Sequence, residues 1–175
     1  YSVVVADEIH KAPDIARDFF GFRLTLGRVR EVARLLDAPP TPKKEAVHID
    51  PRLKEEVGAT ASAFFTAALA YMRSSDYSVR LRDTYPQPIE REARRLAELL
   101  DLTAARFKEA RSRGAWSTIR REEIGRAAER AALMQGQLKS AMGLVGENSV
   151  YFLEATGPNS CALTMKPPDV SDILN

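Results

Sequence analysis

The sequence predicts a mainly α protein: a helical bundle with a short β-strand at the N-terminus and a β-hairpin near the C-terminus. Three observations predict it. Apolar residues recur at three- and four-residue spacing through three long stretches, as in helices with one buried face. A β-branched run, Ser2-Val3-Val4-Val5-Ala6, stands at the start. Two short apolar runs flank the turn cluster Gly157-Pro158-Asn159-Ser160, the pattern of a hairpin.

Taken in order, the strand at 2–6 leads into Asp7-Glu8-Ile9-His10, and Pro13 to Phe22 then predicts a short helix or turn leaving a sheet. Gly27 to Asp37 suits a helix with Val29, Val32, Ala33, Leu35 and Leu36 as its buried stripe. It stops before Pro39-Pro40-Thr41-Pro42-Lys43-Lys44, read as a linker because proline cannot continue a helix. Asp50-Pro51 is a helix start, with Asp as N-cap and proline in the first turn. The helix it opens carries Leu53, Val57, Ala61, Phe64, Phe65, Ala68, Leu69 and Met72 on one face. Residues 76–88 break the pattern and read as a loop. Ile89 to Arg113 predicts a second long helix, ended by Gly114. Ser117 or Thr118 can cap a third, ended by Gly143 and Gly146. Short loops between long helices make a bundle. The hairpin strands are Val150 to Ala155 and Cys161 to Met165, and a helix begins again at Asp169 to Leu174. Both ends read as cut within an element.

At 175 residues the chain can bury one sizeable core with an appendage. Cys161 is the only cysteine, which excludes an internal disulfide and a multi-cysteine metal site. No apolar run approaches the ~20 residues that span a bilayer, and there is no secretory leader pattern, so the expected location is the cytoplasm. Net charge is +2, but Arg80 to Arg130 holds thirteen Arg or Lys against nine Asp or Glu. Twelve of the thirteen are arginine, the cation best suited to forked phosphate contacts. With so many acids interleaved, a solvated helical surface explains the stretch at least as well.

The acidic box carries the chemistry. Two adjacent carboxylates at the carboxyl end of a buried strand lie where ligands bind in open α/β sheets. One can hold Mg²⁺ and the other can orient an attacking water. Acidic residues at strand ends also cap following helices. Direct metal catalysis by Asp7, Glu8 and His10 is disfavoured, because adjacent side chains on a strand end diverge. Sequence-tolerant single-strand grooves combine cations with stacking aromatics. Candidates are Arg80, Arg82 and Tyr85 in the 76–88 loop, and Arg111, Arg113, Trp116, Arg120 and Arg121 at the turn between the second and third long helices. Trp116 equally suits a plug closing the end of the bundle. His48, alone before the first long helix, is expected to be neither ligand nor catalyst.

Val3-Val4-Val5-Ala6-Asp7-Glu8-Ile9-His10 resembles the D-E-A-H box of superfamily-2 helicases, with Ile9 in place of the usual Ala. Lys11-Ala12-Pro13-Asp14-Ile15-Ala16 is similar to the segment that leaves the box in the DinG and XPD-like branch. Lys166-Pro167-Pro168-Asp169-Val170-Ser171-Asp172-Ile173-Leu174 resembles the P-x-D-V-S-x-x-L run that lies before the S-A-T-L motif there. The resemblance implies the stretch between helicase motifs II and III: 1–20 ending motor domain 1, 21–147 a helical Arch-like insertion, and 148–175 returning toward motor domain 1. The strand and hairpin would then belong to or abut a P-loop α/β helicase core. It also implies that Asp7 coordinates Mg²⁺, that Glu8 activates the hydrolytic water and that His10 couples nucleotide state to the DNA-gripping motifs. ATP and Mg²⁺ are implied for the parent enzyme, a 5′-to-3′ translocator on single-stranded DNA. None is expected for this chain alone, which lacks the phosphate-cradling loop. The implied partners are single-stranded DNA and the remaining helicase domains, with no membrane. A CRISPR effector complex joins them if the parent is one of the DinG proteins of type IV CRISPR systems rather than a housekeeping DinG. The alternative is a non-enzymatic helical module that binds a protein partner.

Overall fold

The computed structural model describes residues 21–72, 77–81, 87–143 and 149–166. The acidic box at 7–10, the strand at 2–6, the run after Lys166, and Arg82 and Tyr85 lie outside the described residues. Those residues form a mainly helical structure with a small antiparallel sheet.

Strand β1 (Phe22–Thr25) runs directly into helix α1 (Leu26–Arg34), whose first turn is capped by the Thr25 hydroxyl accepting from Arg28 N–H. Two-residue strands β2 (Asp37–Ala38) and β3 (Val47–His48) pair with each other. Helix α2 (Pro51–Tyr71) starts as its sequence predicts, with Asp50 Oδ1 accepting from Leu53 N–H at 3.0 Å and Pro51 in the first turn. Strand β4 (Ser78–Leu81) precedes helix α3 (Gln87–Arg113). Helix α4 (Thr118–Met142) takes Ser117 as its N-cap, and strands β5 (Val150–Gly157) and β6 (Ser160–Lys166) form the expected hairpin.

Helix α3 packs against both α2 and α4, and short α1 closes the arrangement by touching α2 and α4. Small residues make these approaches close: Ala93, Ala97 and Ala104 of α3 face inward, as do Ala127, Ala128 and Ala131 of α4. Phe64 and Phe65 stack edge to face at the centre of the core, 4.9 Å between ring centroids. Each buried ring of this size contributes roughly 1.5–3 kcal/mol.

The sheet order is β1-β6-β5-β4, every neighbouring pair antiparallel. Two of its strands correct the sequence reading. Phe22 ends no helix but opens β1, and Arg80 lies in β4 rather than in a loop. Both strands have four residues, too few to show a two-residue period. Their pairing with the long hairpin is what defines them. Leu24, Leu81, Leu153 and Leu163 turn inward and join the helical core, and β6 lies against α2. The strands within 148–175 are therefore packed into the same unit as the helices. Cys161 sits in that contact with its Sγ 3.7 Å from the Phe65 carbonyl, and burial pushes its thiol up to about 11. It behaves as a small apolar core residue.

The proline-rich stretch is likewise no free linker. Thr41 and Lys44 bond each other's backbone, N–H to carbonyl in both directions at 2.8 and 3.1 Å, and the turn they make is held against α4. No helix among the described residues is long and apolar enough to cross a membrane.

Candidate nucleic-acid interface

The turn between α3 and α4 is built from the last carbonyls of one helix and the first N–H groups of the next. Ala110 O accepts from Gly114 N–H at 2.8 Å and from the Trp116 indole Nε1–H at 2.7 Å. The ring folds over Gly114, where any Cβ would fall inside the indole. Trp116 packs against the core and is half-buried. Of the two roles open to it from sequence, plug or stacking platform, this geometry is the plug.

Glu45 reaches across from the proline-rich turn to the start of α4. Its carboxylate accepts from Ser117 N–H at 2.8 Å and from Ser117 Oγ–H at 3.0 Å. Those bonds, the Ser117 N–H first, hold the Glu45 carboxyl below its ordinary range. The same residue's carbonyl accepts from Arg120 Nε and Nη2, while Arg120 Nη1 donates to Glu123 at 2.7 Å. Lys44 Nζ donates to the other oxygen of Glu123 at 2.9 Å. Burial pushes the Glu123 carboxyl up, and the bonds from Lys44 and Arg120 outweigh it, leaving it lowered.

Arg120 is therefore a correction to the sequence reading. It is only 3% exposed and its guanidinium is spent on Glu45 and Glu123. A phosphate could reach it only by dismantling the anchor of the proline-rich turn. Arg113 is exposed but paired with Glu109 four residues back. Arg111 is exposed, with its guanidinium laid over Gly125 of α4, where a Cβ would come within 3.1 Å of Cζ. Arg121 and Arg80 are exposed, the latter on edge strand β4. Among the described candidates, Arg120 is thus buried and Arg113 paired, while Arg80, Arg111 and Arg121 are exposed.

A cleft of about 540 Å³ lies beside Trp116, lined by His48, Asp50, Arg106, Glu109 and Arg113 among others. Its charges are internally matched: Arg106 pairs with Asp50 and Glu109, and Arg113 with Glu109. His48, predicted to be functionally idle, is bonded through Nδ1 to Asp37 at 2.7 Å. That bond, its largest cause, lowers the Asp37 carboxyl.

A second groove was not foreseen. Helices α1 and α4 and the proline-rich turn enclose about 420 Å³ lined by Arg34, Lys44, Arg120, Arg126 and Arg130, with Glu31 and Glu123 as its acids among the described residues. A further hollow of about 300 Å³ adjoins it on the β1 side, lined also by Arg23 and Arg28, and shares Glu31, Val32 and Arg130 with the first. Arg130 bonds Glu31 across the groove at 3.3 Å. Arg34 and Arg126 are exposed and form no ion pair among the described residues. The sequence signal was available in part: Arg126 and Arg130 are four apart on one helix, and Arg30 and Arg34 on another. Nothing in the sequence says that α1 and α4 are neighbours.

Among the described residues no group of three or more His, Cys, Asp and Glu is arranged to hold a metal ion. No protein-family model matches the chain, and no curated protein matches it.

Proposed function

We propose that the chain is part of an ATP-dependent 5′-to-3′ DNA helicase of the DinG/XPD-like type, in which its helical portion is an Arch-like domain that guides single-stranded DNA. The observation that carries the reading is the pair of sequence runs Val3 to His10 and Lys166 to Leu174, each at its place in the helicase order, with a mainly helical unit between them. In that reading Asp7, Glu8 and His10 serve ATP turnover with Mg²⁺, and the described residues serve the strand. An insertion that returns to the motor must bring its two ends close together. The antiparallel pairing of β1 with β6, Phe22 opposite Met165, supports this by setting the entry and exit strands side by side.

The test is ATP turnover by the full-length protein. Hydrolysis should rise on adding single-stranded DNA and be lost in Glu8→Gln with nucleotide binding retained, because only the water-activating group is removed. A wild-type protein that turns over no ATP with or without DNA would leave the protein-interaction module as the better account.

A further inference from the structure

The groove between α1 and α4 has a charge imbalance that the rest of the described surface does not explain. Five cations line its first hollow against two acids, and one of the five, Arg120, is consumed by the anchor beneath it. Lys44 is held by Glu123 and Arg130 by Glu31. That leaves Arg34 on one wall and Arg126 on the other with no acidic partner among the described residues. Like charges gathered on facing walls repel across a low-dielectric gap. A folded protein keeps such an arrangement at a cost, and a polyanion lying between the walls would relieve it.

We propose that the α1–α4 groove binds the sugar-phosphate backbone of a nucleic-acid single strand through Arg34 and Arg126, without reading its bases. Three features support that ligand. The free cations are both arginine, whose fork matches two phosphoryl oxygens at once. Among the described residues no aromatic side chain lines either hollow, so they offer no platform for bases there and grip phosphates alone. The two hollows share Glu31, Val32 and Arg130, so their cations extend from one to the next rather than ring a point, which suits a linear polyanion over a single small anion. The choice of a nucleic acid over an acidic peptide rests on the helicase reading above.

The Arg130–Glu31 pair sets the middle of that track. Both side chains are more than half exposed, so the pair is weak and exchangeable. Glu31→Gln removes the one acid in the middle of the track and releases Arg130 to the strand, so this variant should bind more tightly than wild type.

The experiment is anisotropy of a fluorescein-labelled oligothymidylate with the full-length protein, titrated across a range of salt concentrations. Arg34→Ala/Arg126→Ala should bind roughly tenfold more weakly, and its log–log salt slope should be shallower by about 1.4, the value for two lost phosphate contacts on a single strand. Arg34→Lys/Arg126→Lys should recover the slope and only part of the affinity, because charge returns without the fork. Neither arginine has a partner to lose, so the melting temperature of each variant should be no lower than that of wild type. Unchanged affinity and slope in the alanine variant would overturn the proposal. So would an oligoglutamate of the same charge displacing the oligothymidylate at equal concentration. The two readings fail separately. DNA-stimulated ATP turnover with an inert groove removes only this proposal, and groove-dependent binding without ATP turnover removes only the helicase.

Discussion

The cleft beside Trp116 and the groove between α1 and α4 hold similar residues and differ in how their charges are paired. Beside Trp116, Arg106 and Arg113 meet Asp50 and Glu109, and every one of those charges is answered within the cleft. Between α1 and α4, Arg34 and Arg126 line one groove from different helices, and neither forms an ion pair among the described residues. Arginine count does not separate these surfaces; pairing does. An arginine already bonded to a carboxylate must break that bond to take a phosphate, so its net contribution to binding is small. The Trp116 side is thus built as structure and the α1–α4 side as a surface with charge to spare. Arg120 lines the α1–α4 groove and anchors the proline-rich turn to α4.

The largest effect should come from that anchor. Arg120→Met leaves the Glu45 carbonyl and part of the Glu123 carboxylate without donors, at a cost of about 2–3 kcal/mol, read as a lower urea midpoint. An unchanged midpoint would break the comparison, since Arg120 would then be no anchor. Next is Gly114→Ala, whose Cβ displaces the indole from Ala110 O. It should cost about 1–2 kcal/mol. Trp116 is the only tryptophan, so its fluorescence reports the turn directly and should shift to the red. Ser117→Ala removes the cap of α4 for about 1 kcal/mol.

Acid should act through Glu45. Its carboxyl is held below the ordinary value of 4.5 in the folded protein, so its stabilisation is fully present above that value and is lost as pH falls through the lower folded one. Glu45→Gln should therefore flatten the acid limb of the stability profile below pH 4.5 relative to wild type. A parallel limb would show that the Ser117 bonds do not depend on the charge. The smallest effects on stability belong to Arg34→Ala and Arg126→Ala, each within about 0.5 kcal/mol.

Much of the helical scaffold was legible because its signals are local. Asp50-Pro51 starts α2, Gly114 ends α3 and Ser117 caps α4 in the structure as in the sequence. The hairpin was legible from Gly157 to Ser160 and its flanking runs. The short strands β1 and β4 were not, because four residues such as Phe22 to Thr25 become a strand only when a neighbour with free backbone groups is set beside them. The same limit governs the site. Arg111, Arg113, Arg120 and Arg121 cluster in sequence yet divide in space into a paired, a buried and two exposed side chains. Arg34 and Arg126 are far apart in sequence and meet across one groove. Proximity along the chain is a poor guide to shared chemistry when helices carry the residues, since neighbours in sequence point in different directions.

The most direct measurement sets two arginine pairs against each other in the full-length protein. Arg111 and Arg121 are exposed at the α3–α4 turn and line neither cleft, whereas Arg34 and Arg126 both line the groove. Alanine variants of the two pairs carry the same change in net charge, so long-range attraction falls equally in both. The salt dependence of oligothymidylate binding should become shallower by about 1.4 in Arg34→Ala/Arg126→Ala and stay near wild type in Arg111→Ala/Arg121→Ala. The reverse order, or an equal change in both, would contradict the account.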